Sequence, residues 1–276
     1  MYKRQEQILV ENDKVKGVRM ADGHVIECPT VISSAGVDNT FGHLLPAEVV
    51  QSKGYALSKR NVRPSIGHLC LYIGCKGTAE ELGLPKTNFW IYPHNDFDRA
   101  VGDFRADADA PFPVVYVSFP SAKDPDYLER HPGTATIEIV APAPYEQFEQ
   151  WQGTIWGKRG EDYETLKEDL SARLLRHLYD KLPSLEGKID YYELSTPLST
   201  EWFSAYQRGE LYGLDHTPER LQQDWLTPRT RIPGLWLTGQ DVLTCGVTGA
   251  MMAGLLTVTA MAGARKMGPL MKRIYA

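Results

Sequence analysis

The residues best suited to chemistry lie near the C-terminal end of the chain, in the stretch GLWLTGQDVLTCGVTGA that begins at Gly234. A short apolar strand is predicted over Leu235–Thr238, followed by Gly-Gln-Asp, a glycine-rich loop and a helix that starts near Val247. The first N–H groups of a helix lack partners within it and carry about half a positive charge. Glycines at such a place let an electron-rich ligand group approach the backbone, and the carboxylate of Asp241 can accept hydrogen bonds from hydroxyls.

A ligand with a polyol chain and a ring that gains electron density would satisfy this pattern, and a flavin has both. A core helix and a membrane anchor are the alternatives, because no charged residue lies between Asp241 and Arg265 and about 20 apolar residues span a bilayer. The anchor is disfavoured, since glycines and threonines interrupt the span and its flanks lack an aromatic belt. The sequence predicts a fully buried helix that packs on a sheet through small residues and ends near Lys266.

Composition and motifs argue against several other functions. The chain has 276 residues, of which 42% are hydrophobic and 24% charged, and its formal net charge is −5; these values are typical of a soluble globular protein with no nucleic-acid partner. The four cysteines lack the spacing of a zinc site and are expected to be free thiols. Neither H-E-x-x-H nor G-x-S-x-G occurs, so we predict no metal site and no hydrolytic nucleophile. The acidic stretch 95–111 does not match a calcium loop and is predicted to be a solvated loop.

The elements that must position the glycine-rich segment come from two parts of the chain. The first 44 residues read as short strands, with an Asp-Gly turn at Asp22 and a strand near Val31. The middle reads as an α+β unit with an amphipathic helix over Asp162–Lys181 and a sheet of about five strands. The strand candidates of this sheet are Ser65–Cys75, Asn88–Pro93, Pro113–Pro120, Thr134–Pro142 and Lys188–Ser195.

Several stretches of the chain resemble a known family. VISSAGVDNTFGHLLP, from Val31, resembles the strand that closes the family's FAD domain. YGLDHTPERL, from Tyr212, and TPRTRIPGLWLTGQDVLTCGVTGA, from Thr227, resemble the closing segment of its retinol saturase-like members. YEQFEQWQGTIWGKRGEDYETLKEDL, from Tyr145, together with PSLEGKID, adds a match specific to that branch. The chain is therefore similar, over nearly its whole length, to the C-terminal part of the FAD-dependent superfamily of phytoene desaturases, carotenoid isomerases and retinol saturases.

The resemblance implies an α/β and α+β fold with two domains. Residues 1–44 and 227–276 would form part of an FAD-binding domain of the glutathione reductase-like Rossmann type, and residues 45–226 a mixed β-sheet substrate-binding domain with helices. The residues expected to bind FAD are Ala35, Gly36, Gly239, Gln240, Asp241, Gly246, Val247, Gly249 and Ala250. Gly239–Asp241 would hold the ribityl and pyrophosphate portion, and the helix residues would face the pyrimidine edge of the flavin. Tyr212, Gly213 and His216 are expected to line the flavin or substrate cavity, with an ordinary loop as the alternative.

The implied activity is that of an oxidoreductase that saturates, desaturates or isomerises a lipophilic polyene, with chemistry carried by the flavin rather than by a catalytic side chain. The family's G-x-G-x-x-G motif for the ADP half of FAD does not occur in the 276 residues. The chain is therefore expected to be a truncated portion that needs an N-terminal segment to hold FAD. An inactive fragment or partner subunit and an amine oxidase-like flavoenzyme are the alternatives. We expect a cytoplasmic location, with peripheral membrane contact as an alternative because the substrate is lipophilic.

Overall fold

The structure is a computed structural model that describes residues 4–58, 61–263 and 268–269. It contains two compact units, of which unit 1 is formed by parts of Met1–Ser65 and Tyr212–Ala276 and unit 2 by Ile66–Leu211. Strands and helices are mixed in the chain, as the α/β and α+β reading predicts. The domain boundaries predicted near residues 44 and 227 stay a prediction, and the two compact units divide at residues 65 and 212.

The strands and α-helices are numbered in chain order. The strands are β1 (Gln5–Glu11), β2 (Lys14–Met20), β3 (Val25–Glu27), β4 (Val31–Ser33), β5 (Gly67–Lys76), β6 (Phe89–Ile91), β7 (Val115–Ser118), β8 (Thr134–Ala143), β9 (Ile189–Ser195) and β10 (Leu235–Leu237). The helices are α1 (Val37–Asn39), α2 (Ala47–Ser52), α3 (Tyr55–Ser58), α4 (Phe97–Ala106), α5 (Pro120–Lys123), α6 (Tyr127–Arg130), α7 (Glu161–Lys181), α8 (Pro197–Ser204), α9 (Pro218–Leu221) and α10 (Gly246–Ala262).

In unit 1 strands near the start of the chain contact the segment around β10. Strands β1, β2 and β3 form one antiparallel sheet, and β4 pairs in parallel with β10 to form another. The N–H of Val15 in β2 donates to the carbonyl of Pro233, just before β10, over 3.0 Å. Phe41 and Tyr55 stack with ring centroids 4.0 Å apart, and Trp225 packs edge-on to both. The core of unit 1 therefore draws on both ends of the sequence.

Helix α10 is not fully buried, so this part of the sequence prediction is wrong. Its buried residues are spaced four apart and are Gly249, Ala253 and Thr257. The Thr257 hydroxyl donates to the carbonyl of Leu237 in β10 over 3.0 Å, because a small side chain at this position lets the helix lie close to the strand. Large apolar side chains on the other side are exposed, among them Val247 at 88% and Met251 at 66%. Residues 264–266 of the predicted helix lie outside the described residues.

No helix among the described residues has the length and apolar character that crossing a membrane requires.

Unit 2 is built on a sheet of five strands, as the sequence predicts, in the order β6-β7-β8-β5-β9. All neighbouring strands in this sheet are antiparallel, so the mixed sheet that the resemblance implied is a wrong expectation. One face of this sheet packs against α7 in a single core cluster that contains Leu71, Ile139 and Leu174, all with no exposed surface. Leu170, Leu174 and Leu178 are buried at four-residue steps, which confirms the amphipathic helix read from the leucine spacing. The side chains on the opposite face of the sheet are more exposed.

Helix α4 stands where the sequence predicted a solvated loop, and that prediction is wrong. The Asp96 carboxylate caps the helix by accepting a hydrogen bond from the N–H of Arg99 over 3.0 Å. Arg99 pairs with Asp103 one turn later, at 3.4 Å, and Ala100 and Phe104 are buried. The helix is stabilised by this cap, by the ion pair at four-residue spacing and by the two buried apolar residues. The acidic composition of the stretch gave no indication of a helix.

The stability of unit 2 is expected to fall as the pH drops below about 6.5, because of His68 in β5. Partial burial lowers the pKa of His68 from 6.5 to about 4, so between these values the unfolded chain binds a proton that the folded chain does not. The stabilisation is complete above the unfolded pKa and is lost as the pH falls toward the folded one, by roughly 3 kcal/mol. Urea denaturation at about pH 7.5 and about pH 4.5 measures this loss.

His68→Gln should lose less stability between these two pH values than the wild type does. His24→Gln is the matched control, because His24 is exposed in the β2–β3 turn. An equal loss in His68→Gln and wild type would contradict the assignment to His68.

Candidate functional site

Asp241, four residues after β10, lies at the centre of the candidate site and is only 4% exposed. Its carboxylate accepts backbone hydrogen bonds from the N–H of Val37 over 2.7 Å and from the N–H of Leu214 over 2.8 Å. Val37 opens α1 directly after Gly36, which has a φ of 87°. The carboxylate therefore joins three segments that are far apart in the sequence.

Among the described residues, the buried carboxylate of Asp241 lies near one cation, Arg220, and one further carboxylate, Asp38. Burial raises the pKa of the Asp241 carboxyl, while the two backbone N–H groups and Arg220 act to lower it. Burial lowers the pKa of the Arg220 guanidinium, and Asp241 acts to raise it. A buried carboxylate is tolerated when it is hydrogen-bonded and has a cation nearby, and Asp241 has both.

Gly213 packs directly on the Asp241 carboxylate. Its φ is 64°, and a Cβ at this position would lie 2.0 Å from Oδ1 of Asp241, so a larger residue has no room there. The neighbouring Tyr212 is 38% exposed. The structure therefore places Gly213 against the candidate site, and the cavity-lining role predicted for Gly213 and Tyr212 stays a prediction.

His216 contacts the end of the turn that connects β10 to α10. Its Nε2 accepts a hydrogen bond from the N–H of Cys245, the residue before α10, over 2.9 Å. An accepting ring nitrogen must be unprotonated. Burial and the Arg220 charge lower the pKa of His216, which favours the neutral imidazole that this bond needs.

The backbone at Gly239 and Gly246 is open to a ligand. Their φ angles are 94° and 81°. A Cβ at Gly239 would meet its nearest neighbour, a carbonyl oxygen, at 4.0 Å, and a Cβ at Gly246 would meet nothing within 4 Å. The first turn of α10 is also exposed at Val247. These features fit the approach of an electron-rich group to the helix N-terminus.

Two of the remaining predicted cofactor residues, Gly249 and Ala35, have contacts within the protein. A Cβ at Gly249 would lie 2.1 Å from the carbonyl oxygen of Thr244, so the absence of a side chain here lets α10 pack against the loop that precedes it. The carbonyl of Ala35 accepts a hydrogen bond from the Asn39 side chain over 2.9 Å. Ala250 follows Gly249 on α10 and is half-buried. Contacts of these residues with FAD stay predictions.

Four contributors to the site could not be recognised from the sequence. Three are main-chain N–H groups, those of Val37, Leu214 and Cys245, and no side-chain pattern marks such groups. The fourth is Arg220 in α9, which is 2% exposed although its neighbours Glu219 and Leu221 face solvent. A charged residue in a short polar turn gives no sign of burial. Among the described residues, no group of three or more His, Cys, Asp or Glu side chains could hold a metal ion.

Known proteins resemble the chain over nearly its whole length. It is 38% identical over 267 residues to all-trans-retinol 13,14-reductase of Homo sapiens, a match that covers 93% of this chain and 44% of that protein. It is 28% identical over 254 residues to the chloroplastic prolycopene isomerase of Arabidopsis thaliana, with coverage of 89% and 39%. The chain is similar to members of the retinol saturase and carotenoid desaturase superfamily. It spans less than half the length of these two relatives.

A solved structure shares the fold. An oxidoreductase from Methanosarcina mazei matches with a TM-score of 0.53 at 15% identity, over 94% of this chain and 48% of that one. No protein-family model matches the chain.

Proposed function

We propose that the chain is part of an FAD-dependent oxidoreductase that saturates, desaturates or isomerises a conjugated isoprenoid. The observation that carries the proposal is the 38% identity, over 93% of the chain, to a protein named all-trans-retinol 13,14-reductase. The parallel pair of β4 and β10, followed by a helix whose N-terminus is open at Gly246, supports it, because strand, turn and helix N-terminus together favour binding of an electron-rich cofactor.

Residues 1–44 and 227–276 would be part of a glutathione reductase-like Rossmann FAD domain, and residues 45–226 the substrate domain. Parallel strands rarely occur as an isolated pair, because parallel sheets are normally covered on both faces. Ile32 in β4 is 49% exposed and Met251 in α10 is 66% exposed. A further N-terminal segment that carries the G-x-G-x-x-G motif would cover this apolar surface and bind the ADP half of FAD.

When bound, FAD supplies the electron and hydride transfer of the reaction. The N–H groups of the first turn of α10, from Gly246 to Ala250, would orient the flavin by facing its pyrimidine edge. Gly239 would leave room for the ribityl chain. The carboxylate of Asp241 already accepts two N–H bonds, so a ribityl hydroxyl would use one of its remaining lone pairs.

The open face of the sheet in unit 2 suits a polyene. The pairing register places Tyr72, Trp90 and Tyr191 on this face, and they are 48%, 62% and 63% exposed. A flat conjugated chain can pack against such rings, because aromatic side chains provide large apolar surfaces. A lipophilic substrate of this kind would also account for peripheral contact with a membrane.

A flavin absorbance spectrum of the complete protein, recorded with and without a retinoid, tests the proposal. We expect a flavin spectrum that changes when the retinoid is added, and weak or no FAD binding by the 276-residue chain alone. A complete protein that carries the dinucleotide motif but binds no flavin would overturn the proposal and favour an inactive partner subunit. A bound flavin that is reduced by an amine and unaffected by the retinoid would favour an amine oxidase-like enzyme.

A further inference from the structure

Arg220 is buried beneath the turn that leads into α10. Its Nη2 donates to the carbonyl oxygens of Gln240 and Asp241, each over 2.9 Å, and lies 3.4 Å from that of Leu243. With 2% of its surface exposed, the guanidinium is bonded mainly to main-chain acceptors. The carbonyl groups of Gln240, Asp241 and Leu243 therefore all point toward the Arg220 side chain.

This arrangement determines where the N–H groups of the turn point. In a trans peptide the N–H points opposite to the C=O of the same peptide unit. Because the carbonyls of Gln240 and Leu243 face Arg220, the N–H groups of Asp241 and Thr244 point away from it. Arg220 therefore helps to keep the carbonyl oxygens of Gln240 and Leu243 from rotating toward an electron-rich ligand, which they would repel. The turn is also restrained by the N–H of Val242, which donates to the carbonyl of Gly239 over 3.1 Å.

Burial of the Arg220 guanidinium also lowers the stability of the folded protein. Among the described residues, its Nε and Nη1 are buried without a hydrogen-bond partner. A buried cation with unpaired donors lowers stability. An apolar side chain would avoid that cost, but it could supply neither the bonds made by Nη2 nor a positive charge near Asp241.

We propose that Arg220 is a positioning residue for the flavin: it holds the carbonyls of Gln240, Asp241 and Leu243 away from the cofactor, so that the N–H groups of Asp241 and Thr244 face it. The inference rests on the proposed function, since it takes FAD as the ligand of this turn. Arg220 itself does not touch the flavin. It acts through the main chain between β10 and α10.

FAD titration of the complete apoprotein, followed by flavin fluorescence and visible absorbance, tests the inference. Arg220→Gln should raise the FAD dissociation constant about ten- to a hundredfold, the range expected for loss of a charged hydrogen-bond donor, and should shift the visible bands of the bound flavin. Arg220→Lys should raise the constant only about threefold, because its ammonium keeps the charge but reaches fewer of the carbonyls. Arg19→Gln is the control and should bind FAD as the wild type does, since Arg19 is a partly exposed arginine of β2 that pairs with Glu6.

A purely structural role would lower the melting temperature of the apoprotein without changing how the folded protein binds FAD. A wild-type dissociation constant and spectrum in Arg220→Gln would therefore overturn the inference, as they would in Arg220→Lys if the Gln variant does not fold. A wild-type protein that binds no FAD would instead overturn the proposed function, and the flavin role of Arg220 with it.

Discussion

Asp241→Ala should destabilise unit 1 by about 2–6 kcal/mol, because it leaves two buried N–H groups without an acceptor at about 1–3 kcal/mol each. These are the N–H groups of Val37 and Leu214, which both bond to the carboxylate. A loss of this size is a large part of the stability of a typical domain. Urea denaturation followed by tryptophan fluorescence, to which Trp225 in the core of unit 1 contributes, measures it.

Asp241→Asn should be the milder change, since its amide oxygen can still accept one of the two bonds while its NH₂ group faces the other donor. Asp107→Ala is the control, because Asp107 is exposed at the end of α4. Wild-type stability in Asp241→Ala would mean that the carboxylate does not hold the three segments together.

Gly249→Val should be the most damaging change in α10. Even the Cβ of an alanine would lie 2.1 Å from the Thr244 carbonyl oxygen, and this atom belongs to the main chain and cannot move without displacing the whole turn. Overpacking usually costs about 1–3 kcal/mol, and valine adds two further carbons at the same place. Thermal unfolding followed by circular dichroism should therefore show a lower melting temperature for Gly249→Ala and a still lower one for Gly249→Val.

Gly254→Ala supplies the matched control in the same helix. A Cβ at Gly254 would meet nothing within 4 Å, so alanine there should stabilise the helix by roughly 0.5–1 kcal/mol. Equal effects of alanine at Gly249 and Gly254 would show that helix propensity, rather than the contact with Thr244, governs both positions.

The sequence predicted the sheet and the long helix of unit 2 because their patterns are local. Alternating apolar residues in β5 and β8, and leucines at four-residue steps in α7, are visible in short windows. Helix α4 was missed because its signal lies in a cap at Asp96 and one ion pair, both hidden in an acidic stretch. Exposure of α10 could not be predicted either, since composition gives hydrophobicity but not which face has a partner.

The candidate site was predictable only in part, for a related reason. The glycines of the turn and Asp241 are recognisable from residue type and spacing. The bonds of Asp241 to Val37 and Leu214, and of Arg220 to the carbonyls of the turn, join residues distant in sequence and use main-chain groups. Nothing in the local pattern distinguishes Arg220 from any exposed arginine, and only the folded chain shows it to be buried.

The bond between Val37 and Asp241 also sets an order for folding during synthesis. The two residues are 204 positions apart, so a ribosome adding about 5–20 residues per second completes the pair roughly 10–40 s after Val37 is made. Unit 2 is continuous in sequence and can fold within that interval. During the same interval, the apolar surface of the N-terminal sheet of unit 1 remains uncovered. The nascent chain is therefore most exposed to chaperones and proteases before the residues around Asp241 leave the ribosome.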